Sequence, residues 1–219
     1  MDFKAIVFDA YGTLFDVNSA AEKSKHKIGN KWEAFANFWR TTQLEYTWLR
    51  SLMKRHKDFW QITEDSLDKS MEVFNIDKNM KVELLNLYKV LSPYPEVKEV
   101  LENLKKKKFK LAILSNGTPD LLNELVNKNN LDTIFDDLFS IEEVKIFKPD
   151  SKVYDLPAKR YNVQPSEIVF LSANTWDVSG GGNYGYNSVW VNRNNSHFDN
   201  LDYKPKIEIK NLKGLLEIV

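Results

Sequence analysis

The stretch Phe3-Lys4-Ala5-Ile6-Val7-Phe8-Asp9-Ala10-Tyr11-Gly12-Thr13-Leu14-Phe15-Asp16 decides the fold. A run of β-formers that ends abruptly in an acid and a glycine predicts a buried strand opening into a loop. In open α/β sheets, ligands bind outside the carboxyl ends of the strands. Asp9 is therefore expected at the mouth of a crevice, with Gly12 letting the backbone turn close by. A carboxylate placed there can act as a nucleophile, a base or a metal ligand. It can equally be a turn or helix-cap aspartate, so the rest of the chain has to decide.

Beyond this loop the pattern becomes helical. Trp32, Phe35, Phe38, Trp39, Tyr46, Leu49 and Leu52 recur at roughly helical spacing over 31–53. A second helix is expected over 63–74, with Thr63 as its N-cap and Leu67, Met71 and Phe74 on one face. A third is expected over 78–90, turning Met80, Leu84, Leu87 and Leu91 inward. No second strand pattern precedes Pro93-Tyr94-Pro95, where an α/β rhythm resumes. Helices are expected at 96–106, 119–129 and 151–161 and shortly after Asn174. Strands are expected at 110–114, 138–141, 168–171 and 188–191. Pro157, well inside the 151–161 segment, should kink that helix or delay its start. Alternating strands and helices imply parallel strands joined by right-handed crossovers. The predicted architecture is thus α/β: a Rossmann-like parallel-sheet core from residues 1–15 and 93–219, with an inserted helical cap subdomain, 16–92.

Composition narrows the function classes. The 219 residues include 42% hydrophobic side chains, which indicates a folded chain with a sizeable core. Lys+Arg and Asp+Glu both number 31, so no net field favours nucleic acid or an acidic membrane. The run Lys105-Lys106-Lys107-Lys108 reads as a solvated helix end, where cations complement the helix dipole. With no cysteine, disulfides, thiol nucleophiles and thiolate metal sites are excluded. The opening apolar run is too short for a signal peptide or a membrane span. A soluble, cytoplasmic protein is the expectation.

Three later strands also end in polar clusters: Ser115-Asn116-Gly117-Thr118, Lys148-Pro149 and Ser172-Ala173-Asn174-Thr175-Trp176-Asp177. Each has an ordinary explanation as a cap, a first-turn acid or a solvated lysine. In a parallel sheet, however, all of them converge with Asp9 on one edge, and together they point to a site.

These clusters, with Asp9-Ala10-Tyr11-Gly12-Thr13, resemble the motifs of the haloacid dehalogenase superfamily. The stretch Trp39-Arg40, followed by Gln43-Leu44-Glu45-Tyr46-Thr47-Trp48-Leu49-Arg50, is similar to the L-2-haloacid dehalogenase (type II) branch, and the resemblance runs from the first strand to the strand at Ser188. Phosphatases of the superfamily carry a second acid two residues after the first, and use it with magnesium. Here Tyr11 takes that place, and a halide leaving group needs no proton. The resemblance therefore implies a hydrolase that needs no cofactor or metal and acts on a carbon–halogen bond, with a small halogenated carboxylic acid and water as reactants. It implies no nucleic-acid or membrane partner, and a homodimer as the candidate assembly.

The roles the resemblance implies are as follows. Asp9 attacks C2 of an L-2-haloacid with inversion, and water then hydrolyses the aspartyl ester to release a D-2-hydroxy acid. Arg40 and Asn116 receive the halide. Ser115 and backbone N–H groups near Tyr11 hold the substrate carboxylate. Thr13 and Ser172 orient the nucleophile, Lys148 supplies a positive charge beside it, and Tyr154 matches the tyrosine that follows that lysine. Asp177, helped by Asn174 and Lys148, is the candidate either to activate water or to orient it. The three histidines, His26, His56 and His197, lie in none of the clusters. Tyr11, Leu44, Phe59 and Trp176 match positions of an apolar wall, although aromatics in helices are commonly packing residues. Gly180-Gly181-Gly182 departs from the family pattern and is expected to loosen the turn holding Asp177. The rivals are a magnesium-dependent phosphatase of the same superfamily, a dehalogenase preferring fluoroacetate, and a binding protein on an inactive enzyme fold.

Overall fold

A computed structural model describes residues 3–219. Among them, six strands form one parallel sheet: β1 (Ala5–Phe8), β2 (Lys110–Ser115), β3 (Asp137–Ser140), β4 (Ile168–Ser172), β5 (Asn187–Val191) and β6 (Ile207–Ile209). Helices α1 (Ser19–Lys23), α2 (Lys25–Ile28), α3 (Trp32–Leu52), α4 (Phe59–Phe74) and α5 (Lys81–Lys89) lie between β1 and Pro93. After it come α6 (Val97–Lys106), α7 (Pro119–Lys128), α8 (Ser151–Tyr161) and α9 (Thr175–Tyr184). No helix of the described residues is long and apolar enough to cross a membrane.

The sheet order β3-β2-β1-β4-β5-β6 places β1 in the middle. After β3 the chain returns to the other side of β1, so the order reverses between β1 and β4. Such switch points open a crevice at the carboxyl ends of the strands. The register pairs Phe8 with Leu171, and Asp9 N–H donates to the Leu171 carbonyl at 2.9 Å. Asp9 therefore leaves the sheet level with Ser172. Every residue of β1 is fully buried, as expected of a central parallel strand covered on both faces. α6 packs through Val97, Val100, Leu101 and Leu104, all fully buried at helical spacing.

The helical segment joins the sheet through two crossings that pair with each other. Asp16 N–H donates to the Ser92 carbonyl at 2.9 Å, and Tyr94 N–H to the Leu14 carbonyl at 3.0 Å, around an antiparallel bridge between Phe15 and Pro93. Gly12, at φ +87°, makes the turn just before this pair, in a region open to glycine at little cost.

Several expectations are corrected. α4 begins at Phe59 rather than Thr63, because Asp58 caps it by accepting from Gln61 N–H at 2.8 Å. Thr63 is a buried interior residue whose hydroxyl donates to the Phe59 carbonyl. α8 starts at Ser151, capped by Asp150, and runs through Pro157 to Tyr161 without a break. One missing N–H is tolerated there with the proline ring buried. The short α1, α2 and β6 offer too few residues for a period to register, and the sequence does not announce them. The lysine run closes α6 as expected, with Lys105 paired to Asp136 at 2.9 Å.

Candidate active site

The segments that follow β1, β3 and β4 deliver polar residues to one point. Asp9 follows β1 and is 5% exposed, while Lys148 and Asp177 are fully buried. The Lys148 ammonium stands between the two acids, 3.1 Å from Asp9 Oδ1 and 2.9 Å from Asp177 Oδ2. The other oxygen of Asp9, Oδ2, accepts from the Thr13 hydroxyl at 2.9 Å, Asn174 Nδ2 at 2.8 Å and the Ser172 hydroxyl at 3.3 Å. The other oxygen of Asp177, Oδ1, accepts from the Tyr154 hydroxyl at 2.7 Å. Seven of the residues expected at the site thus form one continuous network.

Burial sets the protonation states. It alone would lower the Lys148 pKa, but the charges of Asp177 and Asp9 outweigh it and raise the ammonium above its ordinary value. Burial pushes Asp177 up to about 6, with the Asp9 charge adding to the rise and Lys148 and Tyr154 opposing it. Burial, reinforced by the Asp177 charge, holds the Tyr154 phenol well above its usual range, so it remains a proton donor. Among the described residues no group of three or more carboxylate or imidazole side chains is placed to hold a metal ion.

The helical segment supplies the opposite side. Arg40, on α3, donates through Nη2 to the Tyr11 carbonyl at 3.4 Å, and Asn174 Nδ2 donates to the same oxygen at 3.2 Å. That carbonyl is where the two halves meet. Phe59 at the start of α4 lies against the Tyr11 ring, with centroids 5.2 Å apart. Leu44 is half-buried one helical turn beyond Arg40, on the same face of α3. Trp176 packs edge-on against Trp48 of α3 at 5.4 Å. Burial, with Tyr88 next, holds the Tyr11 phenol well above its ordinary pKa, so it presents a neutral ring.

Asn116 and Ser115 are placed differently. Asn116 Oδ1 accepts from the Lys148 backbone N–H at 3.1 Å, which leaves its amide N–H₂ available to donate. The Ser115 hydroxyl, fully buried at the end of β2, accepts from Gly117 N–H at 3.0 Å rather than touching the Asp9 network.

Three residues of the helical side were not named as site residues from the sequence. Gln43, one turn after Arg40, accepts from Arg40 Nη1 at 2.9 Å. Its own amide donates to the Thr63 hydroxyl at 2.7 Å and the Tyr88 hydroxyl at 3.0 Å. All three are buried, and they fix the direction of the guanidinium. The available signal was a glutamine on the buried face of an amphipathic helix, three residues from an arginine.

The glycine run is also corrected. Gly180, Gly181 and Gly182 lie inside α9 rather than in a turn. A methyl group at these positions would overlap the Tyr154 hydroxyl, the Phe170 ring and the Tyr203 ring in turn. The smallness of Gly180 leaves room for the Tyr154 hydroxyl, which reaches Asp177.

Comparison with known proteins places this arrangement in a family. Residues 3–185 match the model of the haloacid dehalogenase-like hydrolases. (S)-2-haloacid dehalogenase 1 of Pseudomonas sp. (strain CBS-3) is 45% identical over 194 residues, 88% of this chain and 86% of the relative. The (S)-2-haloacid dehalogenase of Pseudomonas sp. (strain YL) is 38% identical over 100% of this chain and 95% of its own. The L-2-haloacid dehalogenase of Xanthobacter autotrophicus, solved with chloropropionic acid covalently bound, superposes with a TM-score of 0.92 at 32% identity, covering 99% of this chain and 98% of that one. With motifs, sheet order and whole-length similarity in agreement, the chain belongs to the haloacid dehalogenase-like hydrolases and, within them, to the L-2-haloacid dehalogenases.

Proposed function

We propose that this hydrolase converts short L-2-haloalkanoic acids to D-2-hydroxy acids with inversion, through an ester formed on Asp9. The observation that carries the reading is the unequal partnership of the two Asp9 oxygens. Oδ2 is held by three donors, whereas Oδ1 meets only the Lys148 ammonium and keeps a lone pair free. Oδ1 is thus the attacking atom. Its electron pair forms the bond to C2 while the carbon–halogen pair leaves with the halide, opposite the side of attack.

The departing charge is received by the Arg40 guanidinium and the free N–H₂ of Asn116. The substrate carboxylate sits on backbone N–H groups near Tyr11 and Ser115. Tyr11, Leu44, Phe59 and Trp176 line the space around its side chain, and the helical segment 16–92 acts as a cap over the core of 1–15 and 93–219. Water then adds to the Asp9 carboxyl carbon. A proton of that water passes to Asp177, and the bond between the carboxyl carbon and the substrate oxygen breaks. The departing alkoxide takes up a proton to become the hydroxy acid, the second proton is lost to solvent, and Asp9 is regenerated as a carboxylate carrying one oxygen from water. Lys148 and Tyr154 orient Asp177 for this step.

The test uses the separate enantiomers of 2-chloropropionate with EDTA present, and a single turnover in oxygen-18 water. Chloride from the L form only, D-lactate as product and label in Asp9 are the expected results. Silence on both enantiomers, with magnesium-dependent hydrolysis of a phosphate ester, would replace this reading with the phosphatase.

A further inference from the structure

Just beyond β5 lies an arginine that touches none of the reacting groups. The side chain of Arg193 is only 11% exposed. Its Nη2 donates to the Thr13 backbone carbonyl at 2.8 Å, and its Nη1 pairs with Glu96 Oε1 at 2.7 Å. The guanidinium carbon lies 3.7 Å from the centre of the Tyr94 ring. The flat guanidinium thus uses its two terminal nitrogens and its face on three groups of two different segments, which a lysine cannot do. Glu96 is itself fixed, accepting also from Leu212 N–H at 3.3 Å.

The segments gripped are the two crossings between the sheet and the helical segment. Thr13 stands on the outgoing crossing, and Tyr94 on the returning one, where its N–H bonds the Leu14 carbonyl. Holding the Thr13 carbonyl fixes the peptide plane between Thr13 and Leu14. The Thr13 hydroxyl on the same residue accepts from Ala173 N–H at 2.8 Å and donates to Asp9 Oδ2 at 2.9 Å. A path of direct contacts therefore runs from Arg193 through Thr13 to the carboxylate. The buried Nε–H of Arg193 has no acceptor among the described residues. The side chain is thus held by the carbonyl, the acid and the ring at the expense of its third donor direction.

We propose that Arg193 is a positioning residue. It locks the crossings to and from the helical segment, and through the Thr13 peptide it holds Asp9 at the angle that leaves Oδ1 free to attack. The proposal rests on Asp9 being the nucleophile.

The experiment measures halide release from L-2-chloropropionate in a single turnover with enzyme in excess, for wild type, Arg193→Lys, Thr13→Ala and the double variant. Arg193→Lys keeps the charge and loses the fork, and is expected to slow halide release about tenfold with KM within about twofold, since small misplacement of a reacting group is costly. In the Thr13→Ala background the same change should cost less than about twofold, because residues acting through one another are not additive. Arg193→Gln, which keeps one donor, is read in the same way if the lysine variant folds poorly, with melting temperatures recorded throughout. An equal factor in both backgrounds, or a lower melting temperature with unchanged halide release, would overturn the positioning role. Acid-quenched wild type is digested in parallel. Without an added acyl mass on the Asp9 peptide, the nucleophile reading itself falls; with that adduct and additive kinetics, only Arg193 is misassigned.

Discussion

On the sheet side, Lys148 holds two buried carboxylates at 3.1 and 2.9 Å, and the surrounding hydroxyls and amide all point at those acids. On the helical side, Arg40 is the one charged group of a neutral lattice in which Gln43 joins the hydroxyls of Thr63 and Tyr88. The first arrangement rests on charge taken out of water, which is strongly coupled and intolerant of a missing member. The second rests on ordinary hydrogen bonds and aromatic packing, each of which is worth less and can relax. On the proposed reading, the strand ends carry the chemistry and the helices carry the contacts around the substrate's side chain.

The sharpest way to break this contrast is to remove the shared cation. Lys148→Met leaves Asp9 and Asp177 facing each other in a buried site, and breaking such a pair costs about 3–5 kcal/mol. For a chain of this length, the melting temperature should fall on the order of 10 °C. Halide release should be lost together with stability. A variant that melts like wild type would show that the charge cluster is not what holds the strand ends together.

The helical side should behave otherwise. Gln43→Leu removes the acceptor of Arg40 Nη1 but leaves Arg40 its contact to the Tyr11 carbonyl. The variant also loses the bonds to Thr63 and Tyr88, but only the bond to Arg40 involves a charged group. That one is worth about 1.5–3 kcal/mol, so kcat/KM for L-2-chloropropionate should drop about 10–100-fold. The melting temperature should move far less than in Lys148→Met. Equal losses in both variants would erase the distinction between the two sides.

The same contrast explains what could be read from the chain. Asp9 was legible because a polar residue there interrupts an apolar run, and Lys148, Asn174 and Asp177 because they fall in polar stretches that follow strands. Arg40 became visible only through family resemblance, since a lone arginine on a helix has no local mark of burial. Gln43, Thr63 and Tyr88 are spread over three helices, and no spacing connects them. Their partnership is a product of packing. Arg193 stayed hidden for the same reason, its contacts at Thr13 and Glu96 being 180 and 97 residues away in sequence. Gly180 was visible but misread: glycine in a helix usually signals looseness, whereas here its missing side chain makes room for Tyr154.

The smallest effect separates the two halves of the reaction by pH. Burial pushes Asp177 up to about 6. The acid is neutral below that value and anionic above it, so any role as base is lost as the pH falls through about 6. Lys148 is raised above its ordinary value and Tyr154 well above its own, so neither titrates in this window. In the ester Asp9 carries no charge, which removes one cause of the rise. Its hydrolysis should therefore slow about tenfold for each pH unit below a midpoint that lies under about 6, and level off above it. Halide release, in which Asp177 takes no proton on the proposed reading, should depend less steeply on pH over the same range. Quenched samples at pH 5 should then contain more acylated Asp9 peptide than samples at pH 8, and Asp177→Asn should hold the ester at both. Parallel pH profiles for the two steps would mean that Asp177 orients the site without taking the proton. The strand-end acids would then differ in position but not in kind from the neutral groups across the cleft.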